Sequence, residues 1–194
     1  LTDYNIEIGS QNIDWEETGA RTGEISASMI KDLGCAFSII GHSERRILFH
    51  ETNQMICQKL IQADNHSVIP ILCIGESAEE NQSNNTFNVL EQQIIEALEN
   101  ANELSSLIIA YEPIWAIGSG KTPEISEIEG IHEVIKKVLS KSLSQNHEVP
   151  VIYGGSVNPT NAEEVLGLEA VNGVLVGGAS LNTNDFWEIV NAAS

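Results

Sequence analysis

The sequence predicts an α/β fold built on a parallel sheet, and three observations carry the prediction. Short apolar runs recur along the chain, each ends abruptly in Gly, His, Ser or Glu, and a helical pattern follows each. The runs are "IEIGSQN", "FSIIGHS", "VIPILCIGE", "LIIAYEP", "VPVIYGGS" and "NGVLVGGAS". Most are continuously apolar instead of alternating, as strands covered by helices on both faces require. Repetition of strand, loop and helix implies right-handed crossovers within one sheet. That order fits either a doubly wound open sheet or a (β/α)8 barrel. A barrel places its working groups at the C-terminal ends of several strands, which is where this sequence puts its unusual residues.

Taken in order, the first run leads into the loop "GARTGEIS" and the second into "ERRILF". After the third run comes the polar surface stretch "ENQSNNTFN" (Glu80–Asn88), and then a helical stripe of Phe87, Leu90, Ile94, Leu98 and Ala101. The fourth run is followed by a second stripe, Ile128, Ile131, Ile135, Val138 and Leu139, with Ser126 and Glu129 spaced as a capping box. The final segment, "TNDFWEIVNAAS", reads as the last helix. These are six βα units, where a complete barrel has eight in about 250 residues. Residues 1–194 therefore read as a single domain about two units short at its N-terminal side.

Nine basic against 28 acidic residues give a formal net charge of 9 − 28 = −19. That field disfavours nucleic acid and anionic membrane surfaces as partners. A small anion is still compatible with it, because backbone N–H groups bind phosphate without a local excess of Lys or Arg. No apolar run reaches membrane-spanning length, and "LTDYNIEIG" lacks the regions of a signal peptide. Cys35, Cys57 and Cys73 are odd in number and widely spaced, which points to a reducing, cytoplasmic setting.

Two strand ends hold candidate chemistry. His42 in "IIGHSERR" precedes a polar turn that opens a short helix, where the helix N-terminus disfavours the imidazolium and leaves a neutral hydrogen-bond donor. Taken alone, His42 reads more readily as an ordinary surface or core histidine, the reading given to His50, His66, His132 and His147. "HEVIK" at His132 lacks the second histidine of a zinc HExxH, having Lys136 there. Glu112 ends the apolar run of "AYEPIW", where burial against apolar walls suits a proton-abstracting base; a solvated strand-end acid is the plain alternative.

The "GSGKT" that follows fails both nucleotide tests. A phosphate-binding Walker loop needs glycine where Trp115 stands, and a dinucleotide fingerprint from Gly118 needs Gly or Ala where Pro123 stands. What remains is a glycine-containing loop between "PIW" and "KTP", the design of a hinged lid. The pairs in "YGGSVNP" and "LVGGASL" are either turns or anion nests, and after the last two strands of a barrel they mark its usual phosphate site.

Together, "GSQN", "TGEIS", "IGHSERR", "ILCIGE", "AYEPIWAIGSGKT", "YGGSVNP" and "LVGGASL" resemble the triosephosphate isomerase family in order and spacing along essentially the whole chain. The resemblance implies a TIM barrel that interconverts dihydroxyacetone phosphate and glyceraldehyde 3-phosphate through an enediolate, without metal or organic cofactor. It implies Glu112 as general base, His42 as the neutral electrophile and Glu44 as a carboxylate of the surrounding polar network. It further implies phosphate contacts from Gly118, Ser156, Gly177 and Gly178, and a homodimer formed through the loop around Thr22. The family's first strand ends in an Asn-x-Lys motif that residues 1–194 do not match, and Lys121 is assigned to the lid hinge. Loss of one such charge contact costs about a hundred- to a thousandfold in rate. Two alternatives remain at this level: a non-catalytic relative that binds phosphate or a partner chain, and another phosphate-binding (β/α)8 enzyme, such as an indole-glycerol-phosphate type.

Overall fold

The computed structural model describes residues 6–101, 103–117, 122–143 and 148–193. Gly118, Lys121 and most of the lid expected between "PIW" and "KTP" lie outside these residues, as does His147. The chain runs β1 (Gly9–Ser10), α1 (Ala27–Asp32), β2 (Phe37–Ile40), α2 (Ser43–Leu48), α3 (Asn53–Asn65), β3 (Ile69–Ile74), α4 (Ala78–Gln82) and α5 (Thr86–Leu98). It continues through β4 (Ile108–Tyr111), a 3-10 turn (Ile114–Ala116), α6 (Ile125–Ser142), β5 (Val151–Tyr153), α7 (Ala162–Leu166), a second 3-10 turn (Gly178–Leu181) and α8 (Thr183–Asn191).

The sheet has the order β1-β2-β3-β4-β5 and every pairing in it is parallel. A doubly wound sheet reverses direction at a switch point. This one never does, so its winding is that of a barrel. The register pairs Ile40 with Leu72, Ile74 with Tyr111 and Tyr111 with Tyr153, which brings the C-terminal strand ends to one rim.

The sixth apolar run departs from expectation. It contributes one parallel bridge, Val174 to Tyr153, instead of a strand. Tyr153 donates to Gly173 O at 2.9 Å and Leu175 donates to Tyr153 O at 2.8 Å. Gly173 and Gly177 bound this run on both sides, and glycine weakens a strand, so the ladder is confined to one residue.

The core lies where sheet meets helices. Ile40, Leu72, Ile109 and Val151 from the strands pack with Ile56 and Leu60 of α3, Leu90 and Ile94 of α5, and Ile128 and Ile135 of α6, all essentially inaccessible. Each such side chain contributes about 1.5–3 kcal/mol relative to exposure. Phe87 does not join them; its position on α5 leaves it 52% exposed. All three cysteines are buried and unpaired. Among the described residues no helix is long and apolar enough to cross a membrane.

The capping box expected at Ser126 and Glu129 does not form. Helix α6 begins two residues earlier, capped by Glu124 without a side-chain hydrogen bond. The Glu129 carboxylate instead accepts from Ala170 N at 3.2 and 3.3 Å, a contact across 41 residues that orders the loop after α7. A capping box does open α4, formed by Ser77 and Glu80.

Buried in α6, His132 is 0% exposed and its two ring nitrogens have no hydrogen-bond partner among the described residues. It packs edge-on to Tyr111 and against Tyr153, with ring centroids 5.9 and 6.3 Å away. Burial lowers its pKa from 6.5 to about 4. Because the folded value lies below the unfolded one, its stabilising neutral form is fully present above about pH 6.5 and is lost as pH falls through about 4. His132→Phe keeps the ring packing and removes this dependence. The stability of wild type relative to His132→Phe, followed by urea unfolding, is expected to fall by about 3 kcal/mol across that window; a flat difference overturns the assignment.

Candidate active site

Glu112 follows directly on β4, and its carboxylate is placed by the backbone around it. Its N–H donates to Ile74 O at 2.7 Å, continuing the β3–β4 ladder. The approach is so close that a Cβ on Gly75 would stand 1.7 Å from Glu112 O, so glycine has to follow β3. Gly154, after β5, faces the side chain, and a Cβ there would meet Glu112 Cγ at 3.0 Å. With walls on both sides, Glu112 is only 2% exposed. One carboxylate oxygen lies 2.9 Å from His42 Nε2 and the other accepts from Ser43 N at 3.1 Å.

His42 caps α2, its Nδ1 accepting from Glu44 N at 3.2 Å. A ring nitrogen that accepts bears no proton, so the neutral imidazole has its hydrogen on Nε2, directed at Glu112. The helix terminus therefore sets the tautomer of the neutral ring. The ionisation differs from expectation: hydrogen bonding to Glu112 raises the His42 pKa above its ordinary value, against the opposing effect of burial. A carboxylate in contact outweighs the partial charge of a six-residue helix.

The loop before α2 is clamped by Arg46. Its guanidinium donates to Gly41 O at 2.8 Å, Cys73 O at 3.0 Å and Asn53 Oδ1 at 2.6 Å, joining the ends of β2 and β3 to α3.

His42 and Glu112 open into a cavity of about 660 Å3. Gly154, Gly155, Ser156, Gly177 and Gly178 line it as well. The fold thus gathers His42, Glu112, Ser156, Gly177 and Gly178 from four separate chain segments. Glu44 is exposed at the rim and lines the same cavity, as does Ile117, the last described residue before Gly118. Asn12 and Arg45 complete the wall beside β1. Asn12 is held from behind by Lys59, whose ammonium donates to Asn12 Oδ1 at 2.7 Å and to Glu51 at 2.5 Å. Arg45 donates to the same Glu51 oxygen at 2.5 Å.

Sequence reasoning did not single out Glu76, although it follows β3 much as Glu112 follows β4. It is fully buried, and its carboxylate accepts from Trp115 Nε1 at 2.7 Å and from the Tyr111 hydroxyl at 3.2 and 3.3 Å. Burial raises its pKa. Ile114 N also donates to Glu76 O at 3.1 Å, so Glu76 anchors the 3-10 turn that leads into residues 118–121. The available signal was an acid closing an apolar run in "ILCIGE".

A sequentially wound βα sheet with a carboxylate and an imidazole at its strand ends, opposite a glycine-lined wall, defines the class of (β/α)8 barrels that use acid–base groups at the C-terminal rim. The family model described as triosephosphate isomerase matches residues 1–193. The chain belongs to the triosephosphate isomerase family. It is 46% identical over 196 residues to the triosephosphate isomerase of Dehalococcoides mccartyi, covering all of this chain and 77% of that protein. To the triosephosphate isomerase of Magnetococcus marinus it is 44% identical over 192 residues, covering 96% of this chain and 75% of the relative. The crystal structure of triosephosphate isomerase from Bartonella henselae superposes with a TM-score of 0.87 at 36% identity, over 97% of this chain and 76% of that one. The architecture is accordingly an incomplete (β/α)8 barrel.

Proposed function

We propose that this protein is a triose-phosphate isomerase that interconverts dihydroxyacetone phosphate and D-glyceraldehyde 3-phosphate, a step of glycolysis and gluconeogenesis. The observation that carries the reading is the 2.9 Å contact between Glu112 and His42 Nε2 at the floor of a cavity walled by glycine backbone. Glu112 takes a proton from the carbon beside the carbonyl and returns it to the neighbouring carbon. His42 donates its Nε2 hydrogen to the carbonyl oxygen on which charge develops and recovers a proton from the neighbouring hydroxyl, which becomes the new carbonyl. As Glu112 leaves His42 for the substrate carbon, the hydrogen bond that raised the His42 pKa is lost, and the neutral imidazole is the form left to act. Glu44 belongs to the polar network at the rim.

Backbone N–H groups at Gly118, Ser156, Gly177 and Gly178 hold the phosphate, and the loop through Gly118 closes over it, excluding water from the enediolate. No metal or organic cofactor enters this scheme. Homodimerisation runs through the loop around Thr22, which is exposed. Arg21 stiffens that loop by pairing with Asp14 and stacking 4.3 Å over Trp15. Location in the cytoplasm accords with three unpaired cysteines.

Incubation with dihydroxyacetone phosphate in deuterated water tests the chemistry. Glyceraldehyde 3-phosphate carrying solvent deuterium at the carbon beside its aldehyde is the expected product. Conversion no faster than in buffer refutes the reading.

A further inference from the structure

A second cavity, of about 390 Å3, lies between the α4–α5 corner and the first turns of α6, away from the Glu112 site. Carboxamides of Asn81 and Asn84, the hydroxyl of Ser126, the carboxylate of Glu127 and the ring of Phe87 line it. Phe87 is half-exposed here although its place on α5 reads as apolar. Among the described lining residues there is no Lys or Arg. The Glu127 charge is felt as far as the Tyr111 and Tyr153 hydroxyls. In a chain of net charge −19, the lining residues Glu127 and Phe87 offer a cation a carboxylate and an aromatic ring.

Gly130 is an independent observation. It sits inside the 18-residue α6, and a Cβ added there would meet nothing within 4 Å. Alanine at an interior helix position is favoured over glycine by about 1 kcal/mol. No packing or backbone requirement explains glycine at this position, and its effect is to leave the cavity wall open.

The floor of the cavity connects to the active-site side. Asn81 Nδ2 donates to Glu76 Oε1 at 3.3 Å, and Trp115 Nε1 donates to that same oxygen at 2.7 Å. A ligand that draws the Asn81 amide toward itself shifts the acceptor that Trp115 uses.

We propose that this cavity binds a small organic ammonium ion with an apolar body, and that occupancy is transmitted through Asn81 and Glu76 to Trp115. Neither the binding nor its transmission to Trp115 rests on the isomerase reading.

Phenethylammonium is the probe, with neutral 2-phenylethanol as its isosteric control, followed by two-dimensional NMR of the whole protein. Saturable shifts are expected at Phe87, Glu127, the Asn81 side-chain amide and the Trp115 indole N–H. The ammonium should bind about tenfold more tightly than the alcohol. Glu127→Gln, an exposed change that the fold tolerates, should erase that preference. Gly130→Phe should abolish binding of both probes. Absence of saturation, equal affinity for the two probes, a preference that survives Glu127→Gln, or unchanged binding in a folded Gly130→Phe protein each overturns the site. Binding that leaves the Trp115 indole resonance in place overturns the coupling. Because none of these readouts needs turnover, they separate failure of this site from failure of the isomerase assignment.

Discussion

Glu112→Asp is expected to lower kcat about a hundredfold with KM nearly unchanged. Aspartate withdraws the carboxylate by one C–C bond, about 1.5 Å, while the walls set by Gly75 and Gly154 keep the backbone of residue 112 where it is. A base misplaced by about 1 Å loses roughly a factor of a hundred, near 2.7 kcal/mol of transition-state stabilisation. Substrate affinity should hold, because the glycine wall across the cavity is untouched. Steady-state kinetics in both directions give the split between kcat and KM, and a thermal melt shows that the fold is retained. Turnover equal to wild type would remove Glu112 from the reaction.

Glu51→Leu is expected to cost about 3–5 kcal/mol of stability, the effect of breaking a buried ion pair from one side. Lys59 is 1% exposed, and its ammonium is matched by Glu51 and by the Asn12 carbonyl oxygen. Burial lowers the Lys59 pKa and the Glu51 contact opposes that shift. Without Glu51, Lys59 remains in the interior with one neutral acceptor, and Arg45 loses its partner at the cavity wall. Combining Glu51→Leu with Lys59→Met should recover part of the loss, since apolar residues of similar volume replace buried pairs at little cost. Urea unfolding at neutral pH of the single and double variants measures both quantities. A single-variant loss below about 1 kcal/mol, typical of an exposed pair, would mean that the network is solvated.

Much of the fold was legible because parallel strands covered on both faces have to be continuously apolar. "FSII", "IPILCI" and "LIIAY" therefore announced β2, β3 and β4 without any knowledge of their partners. His42 and Glu112 stood out for the related reason that a polar group closing such a run sits at a strand end. Spacing was less informative wherever a distant partner competed. Glu129 has the separation from Ser126 that a capping box needs, yet its carboxylate is taken by Ala170 N. The sixth run has strand composition, but it meets β5 through a single bridge, Val174 to Tyr153, between two glycines that weaken a strand.

The residues alone determined the repeating βα pattern, the rim position of the acid and the histidine, and the glycine pairs facing them. Each follows from local chemistry: an apolar run, the polar residue that ends it, and a backbone without side chains. Only the tertiary structure decided that the sheet winds sequentially, that Gly75 admits the Glu112 carbonyl, and that Lys59 is buried beside Asn12. It also decided the state of His42, whose capping position favours the neutral form but whose contact with Glu112 favours the proton. Those outcomes depend on groups tens of residues apart meeting within a few ångströms, where burial and short-range electrostatics outweigh any preference encoded locally.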